Sequence, residues 1–359
     1  MRRPPRGGWK DFTQMKPAAK YDIRYGHDLI RTESATWPRT IAVTSPTAYK
    51  VVSPRLSREP QGFAIAKTLD FDSLKGVAES LPDDADLVLG IGGGLALDAA
   101  KYVALTRQLP IVIIPTVVST GSIIHGLFAR WEGLNLSEKS KWCWIDPEHV
   151  LVDYDVVLSA PEYLNTAGIG DVLCGHAGLT EWKRGARLGL CDDYDEAVAS
   201  DMLQHHREIV EGFPATFSDD GRLTPRSIKF IMTAVKDRDT RRVIHPGAPL
   251  SDHLFLQALE LINNRTWVHG ELAALGSVIV TWYCEPPDVA GLIERMDTCR
   301  VRWRPKDMDL SRDALSKALA FCPEYFSDAS RGRNVTSALR SDPIVGETFD
   351  RLWRFLHAS

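Results

Sequence analysis

The chain has 359 residues, 44% hydrophobic and 25% charged, with a formal net charge of -4 and a pI near 6.2. That length accommodates two domains with sizeable cores, and that balance excludes an extended disordered chain and offers no basic face to a nucleic acid. No run approaches the roughly 18 apolar residues that span a bilayer, the basic start MRRPPRGGWKDF leads into no apolar signal segment, and the six scattered cysteines include no C-x-x-C pair. A cytoplasmic protein is expected, with neither a membrane nor a nucleic acid as partner.

Residues 1 to about 38 are polar and punctuated by proline, and read as an arm with one short strand near Tyr21 to Tyr25. The fold proper is expected to start at Thr40 to Thr44 (TIAVT), a buried strand that turns at Ser45-Pro46 into a helical pattern. Gly62 to Ala66 reads as a second strand, followed by a helix from Asp70 or Asp72 to about Leu81. Leu87, Val88 and Leu89 then run into Gly90, Gly92, Gly93 and Gly94, and a helical pattern continues through Leu97, Ala100, Lys101 and Ala104. Contiguous glycines after a strand let the backbone approach a ligand, and a helix starting there aims unpaired N–H groups at an anion such as a pyrophosphate. A plain strand-to-helix turn has the same sequence. The spacing is neither G-x-G-x-x-G nor a P-loop.

A further strand, Ile111 to Ile114, leads into PTVVST (Pro115 to Thr120), and the segment from Ile123 to Lys141 reads as a hairpin or loop. Val150 to Asp153 is a last strand, and Ser159-Ala160-Pro161 marks a change of texture. Beyond it lie amphipathic windows at Pro161 to Arg187, Asp193 to Phe213, Pro225 to Arg238, Ser251 to Asn264 and Val268 to Glu285, then shorter ones to Phe355. Strands alternating with helices predict a Rossmann-like α/β domain with a parallel sheet over residues 1–160, and the helical remainder predicts an all-α domain over 161–359. The first strand ends in Thr44-Ser45-Pro46 with no carboxylate for an adenosine ribose, which leaves NAD and NADP both open.

The helical half offers Asp171, His253 and His269 as metal ligands from three different helices. One carboxylate and two imidazoles leave positions open for water or substrate, as a catalytic zinc or iron requires. Each residue also has an ordinary structural reading: an acid near a helix start, a first-turn histidine, a buried histidine bonded to a carbonyl.

GGGLALDAAK followed by PTVVST resembles the dinucleotide-binding signature of the iron- or zinc-dependent alcohol and polyol dehydrogenases, a superfamily shared with the dehydroquinate synthases. The resemblance implies that Gly92, Gly93 and Gly94 pack against the pyrophosphate of NAD or NADP, that Thr116 and Ser119 line the cofactor groove, and that Asp98 and Lys101 belong to the same signature. It also implies that Asp171, His253 and His269 hold one divalent metal, zinc or iron. Asp153, AGIGD, TEW (Thr180 to Trp182) and DDYDEAVAS (Asp192 to Ser200) resemble the glycerol-1-phosphate dehydrogenase branch, with Glu181 where that branch has the Asp of an Asp-Trp pair. Two positions depart from the branch, both on the substrate side: Gly121 replaces an Asp, and Gln257 replaces a second His four residues after His253.

The implied activity is reversible hydride transfer between NAD(P)H and a small polyol or hydroxyketone, phosphorylated or not, with a homo-oligomer expected. His125 and His176 are candidates for proton exchange, while His205 and His206 are expected at the surface. Lys183, Arg184 and Arg187, expected on the helix of Asp171, suit either a phosphate or a solvated basic face. Two other readings compete. A sugar-phosphate cyclase fits the 16-residue spacing of the histidines, and a catalytically silent binding module fits the missing acid at Gly121.

Overall fold

The computed structural model describes residues 7–9, 22–124, 126–130, 141–191, 193–241, 251–327 and 337–358. The chain forms two compact units, residues 1–165 with 218–240, and residues 166–217 with 241–359.

In the first unit β1 (Gly7–Trp9) precedes the strands β2 (Asp22–Gly26), β3 (Thr40–Thr44), β4 (Gly62–Ile65), β5 (Leu87–Gly92) and β6 (Ile111–Pro115). Strands β7 (Leu127–Arg130), β8 (Lys141–Ile145) and β9 (His149–Asp153) follow. Six strands form one parallel sheet in the order β2-β9-β6-β5-β3-β4. Every residue of β3, β5 and β6 is buried, which is why these strands read as unbroken apolar runs rather than alternating ones. The crossovers carry α1 (Leu29–Ser34), α2 (Pro46–Val52), α3 (Phe71–Glu79) and α4 (Gly94–Arg107). Ser45 caps α2 by accepting the Ala48 N–H at 3.3 Å with Pro46 in the first turn, and Asp70 caps α3 by accepting from Ser73.

From β3 the chain moves to β4 on one side, and from β5 to β6 on the other. Strand order therefore reverses between β3 and β5, and the carboxyl ends there form the crevice where open α/β sheets bind ligands. Gly92 ends β5 at that crevice.

The fold begins earlier than Thr40. Strand β2 pairs with β9 along its whole length, Asp22 to Gly26 against His149 to Asp153, and α1 buries Ile30, whose N–H donates to Asp153 Oδ2 at 3.0 Å. The alternating polar residues of β2 mark a half-covered edge strand, a weaker signal than a central one. Strands β7 and β8 pair antiparallel, with β1 on the far side of β8, in a separate three-stranded sheet. Tyr21, Asp192 and residues 131–140 lie outside the described residues.

After α5 (Tyr154–Val157) the helices are α6 (Glu162–Leu173), α7 (Gly175–Arg187), α8 (Glu196–Gly212), α9 (Pro225–Arg241), α10 (Ser251–Asn263), α11 (His269–Cys284) and α12 (Val289–Thr298). They are followed by α13 (Arg312–Ser327), α14 (Ala338–Ser341) and α15 (Gly346–Ala358). Most of α9 returns to the first unit, which no helical pattern announces. The window at Pro161 to Arg187 is two helices divided at Cys174, so Asp171 and the cations Lys183, Arg184 and Arg187 stand on successive helices rather than one. Helix α11 is buried at every residue from Gly270 to Thr281, the mark of a helix at the centre of its unit. Among the described residues no helix is long and apolar enough to cross a membrane.

Candidate active site

At the glycine turn, Gly92 takes φ +143°, a conformation that side chains rarely adopt. Gly93 is the N-cap of α4 and supplies no side chain to the first turn, where Leu97 N–H makes the first bond, to Gly93 O at 3.1 Å. Gly93, Gly94 and Leu95 are only half-buried, so a bare helix N-terminus faces outward at the sheet's switch point, a fit for a pyrophosphate. Thr116 is half-buried beside it, its N–H bonded to Gly92 O at 3.0 Å, whereas Ser119 and Asp98 are each 7% exposed.

Lys101 is placed differently. Its side chain is 1% exposed, and Nζ donates to Asp98 Oδ1 at 3.2 Å and to the main-chain oxygen of Ser122 at 2.6 Å. Burial draws its pKa down and the Asp98 carboxylate opposes that shift. This buried pair ties α4 to the short turn Gly121–Ile123 that follows PTVVST. His125, the candidate for proton exchange, lies outside the described residues.

In the second unit Asp171 projects from α6, His253 from α10, and His269 is the first residue of α11. Their donor atoms form a nearly equilateral triangle: Asp171 Oδ1 to His253 Nε2 is 3.5 Å, Asp171 Oδ1 to His269 Nε2 is 3.4 Å, and the two Nε2 atoms are 3.3 Å apart. A tetrahedral metal bound at about 2.1 Å has ligand-to-ligand edges of about 3.4 Å, and the triangle has the dimensions of one face of such a site. Asp171 is 1% exposed, while the side chains of His253 and His269 are 26% and 36% exposed, leaving the histidine side open to solvent. Burial works against a charge on His253, but Asp252 and Asp171 outweigh it and push its pKa up to about 9, so the centre attracts positive charge.

Two glycines bring the helices this close. A Cβ on Gly170 of α6 would lie 2.7 Å from Gly270 O, the residue after His269, and one on Gly276 of α11 would lie 2.8 Å from Asp252 O, the residue before His253. Without side chains at these crossings, α11 lies directly against both α6 and the start of α10.

Sequence reasoning missed the groups behind the triangle. His253 Nδ1 donates to Asp252 Oδ2 at 2.7 Å, a buried carboxylate that leaves Nε2 free to face a metal. The Cys174 thiol, one turn beyond Asp171, bonds Asp252 and lies 3.1 Å from the main-chain oxygen of Asp171. The only sequence signal was adjacency, Asp252 beside His253 and Cys174 three residues after Asp171.

His205 and His206 are not at the surface: they are 7% and 2% exposed, because the buried arc of α8 is wide enough to include adjacent positions. His176 is also buried, faces the Arg295 guanidinium at 3.4 Å and is pushed down to about 4 by burial and by that cation, so it stays neutral. Lys183 and Arg187 both pair with Glu285, and Arg184 with Asp342 at 2.8 Å. Gln257 accepts a bond from the Tyr325 hydroxyl at 2.9 Å.

The family model for iron-containing alcohol dehydrogenases matches residues 27–161. Glycerol-1-phosphate dehydrogenase, NAD(P)+, of Saccharolobus solfataricus is 30% identical over 261 residues, 70% of this chain and 72% of the relative. The enzyme of the same name from Thermoplasma acidophilum is 25% identical over 328 residues, 85% of this chain and 90% of the relative. Among solved structures, a probable glycerol dehydrogenase from Sinorhizobium meliloti aligns with TM-score 0.68 at 18% identity, covering 94% of this chain and 98% of its own. Sulfoacetaldehyde reductase from Bifidobacterium kashiwanohense, in complex with NAD+, aligns with TM-score 0.58 at 16% identity, covering 96% and 99%. These structures share the two-domain fold, with a parallel sheet and a helical second domain.

Proposed function

Because this chain belongs to the glycerol-1-phosphate dehydrogenase family of the iron-containing alcohol dehydrogenases, we propose that it is a metal- and NAD(P)-dependent dehydrogenase interconverting a small polyol and its ketone, with glycerol 1-phosphate and dihydroxyacetone phosphate as the leading pair. The observation that carries the reading is the 3.3 to 3.5 Å triangle of Asp171, His253 and His269.

In this reading the bare N-terminus of α4 at Gly93 and Gly94 receives the pyrophosphate, and Thr116 borders the groove beside it. Ser119, Asp98 and Lys101 act behind that surface; the buried Lys101–Asp98 pair fixes the Gly121–Ile123 turn so that the groove keeps its shape. Asp171, His253 and His269 hold the metal, and Asp252 fixes the tautomer of His253 so that Nε2 carries the lone pair. When bound, zinc or iron supplies Lewis acidity toward the substrate oxygen and the nicotinamide supplies the hydride. The protein's own share is positioning and a preorganised field. His176, neutral and turned to Arg295, is a structural residue here.

The test is oxidation of NADH and NADPH followed by absorbance, with zinc or ferrous iron, against dihydroxyacetone phosphate, dihydroxyacetone, small aldehydes and cyclic ketoses. Sustained turnover abolished by a chelator is expected. Release of inorganic phosphate from a heptulose phosphate without net NAD turnover would overturn the reading in favour of the cyclase.

A further inference from the structure

Helix α10, which carries His253, begins at Ser251. Glu181 of α7 meets its first turn. This carboxyl group is fully buried, accepts hydrogen bonds from the Ser251 hydroxyl and the Ser251 N–H, and accepts the Ala338 N–H at 3.0 Å. Ser251 also touches Ser337, the N-cap of α14, so one buried side chain gathers the N-termini of α10 and α14. Its other oxygen has no hydrogen-bond partner among the described residues, and burial pushes its pKa up to about 8, so at neutral pH it is a neutral acid acting as an acceptor. From Ser251 the connection is short: the next residue is Asp252, whose carboxylate takes the Nδ1–H of His253 at 2.7 Å.

We propose that Glu181 is a positioning residue of the metal centre, acting through Ser251 and Asp252 to hold the His253 ring in its metal-binding orientation. The inference rests on the metal centre proposed above. Groups behind a ligand histidine tune affinity by about 10- to 100-fold, because a ring free to turn must be ordered anew each time metal binds. An acceptor oxygen, rather than a charge, is what this position supplies. Glu181→Gln therefore preserves the function and Glu181→Ala removes it.

The experiment strips the full-length chain of metal and titrates it with cobalt(II), reading affinity by chelator competition and geometry by the visible absorption of the ion. Expected results are roughly 10-fold weaker binding and an altered spectrum for Glu181→Ala, binding within about twofold of wild type for Glu181→Gln, and roughly 10- to 100-fold weaker binding for Asp252→Asn. The Glu181→Ala, Asp252→Asn double variant is expected to bind no worse than Asp252→Asn alone, since both changes break one connection. Additive losses, or wild-type affinity and spectrum in Glu181→Ala, would overturn the inference while leaving the metal centre intact. A wild-type chain that binds no cobalt would overturn both. Should Glu181→Ala not fold, Ser251→Ala tests the same link: cobalt affinity equal to wild type would refute it, and a loss that disappears in the Asp252→Asn background would support it.

Discussion

Gly170→Ala adds one methyl group beside Asp171 on α6, and it tests the whole construction of the proposed metal centre. The new Cβ would stand 2.7 Å from Gly270 O and 2.8 Å from Val301 Cγ1, where ordinary contacts begin near 3.4 Å. Relief requires α6 and α11 to separate by about 0.7 Å, because the obstacle is a main-chain oxygen rather than the end of a flexible side chain. Overpacking of this kind costs about 1–3 kcal/mol, and the better helix propensity of alanine offsets about 1 kcal/mol, leaving a loss of roughly 0–2 kcal/mol in stability. The effect on the metal is larger in proportion. Gly270 follows His269 directly, so the ring moves with it, and metal–ligand distances tolerate only about 0.2 Å. Metal affinity by chelator competition should fall on the order of 10-fold or more, while dinucleotide affinity by calorimetry stays unchanged because the glycine turn belongs to the other unit. Metal affinity within twofold of wild type in a folded Gly170→Ala variant would refute the claim that this crossing sets the triangle.

Other changes test the two units separately. Asp171→Asn or His269→Ala should abolish turnover and metal binding while leaving dinucleotide affinity within a few fold; loss of the dinucleotide with metal retained would reverse the assignment of the units. Gly93→Val should do the opposite, since its Cβ already meets Val117 Cγ2 at 3.3 Å and its methyl groups would fill the space offered to a pyrophosphate. Acid stability supplies a fourth test. Burial holds the pKa of His176 at about 4 and of His206 at about 3, below the 6.5 of the unfolded chain, so the unfolded state binds more protons in between. Their contribution is complete above pH 6.5 and is lost as pH falls, toward 4 for His176 and toward 3 for His206; His206→Asn should flatten the fall of Tm between pH 6.5 and 3, and an unchanged slope would show that His206 is already charged in the fold.

Much of the first unit was legible because its signals are local. A buried parallel strand is an unbroken apolar run, and Thr40–Thr44, Leu87–Gly92 and Ile111–Pro115 are such runs. Ser45-Pro46 and Asp70 cap helices through atoms three residues away, so their effect is written in neighbouring letters. The half-covered β2 strand and the helix after it were harder to place, because their burial depends on β9, more than a hundred residues later.

The residue types of the proposed metal centre were also there to be read, Asp171, His253 and His269 on three helical windows. Their meeting was not, because a 3.4 Å edge depends on how closely α6, α10 and α11 cross. The sequence alone determined which side chains could bind a metal, where a glycine turn would open a helix, and that a parallel sheet would be followed by a run of helices. Tertiary structure alone decided that Lys101 would be sealed against Asp98, that His205 and His206 would face inward, and that Glu181 and Asp252 would stand behind His253. The reason is physical: periodicity reports which face of an element is apolar, whereas the partner of a buried polar atom is set by packing between elements distant in the chain.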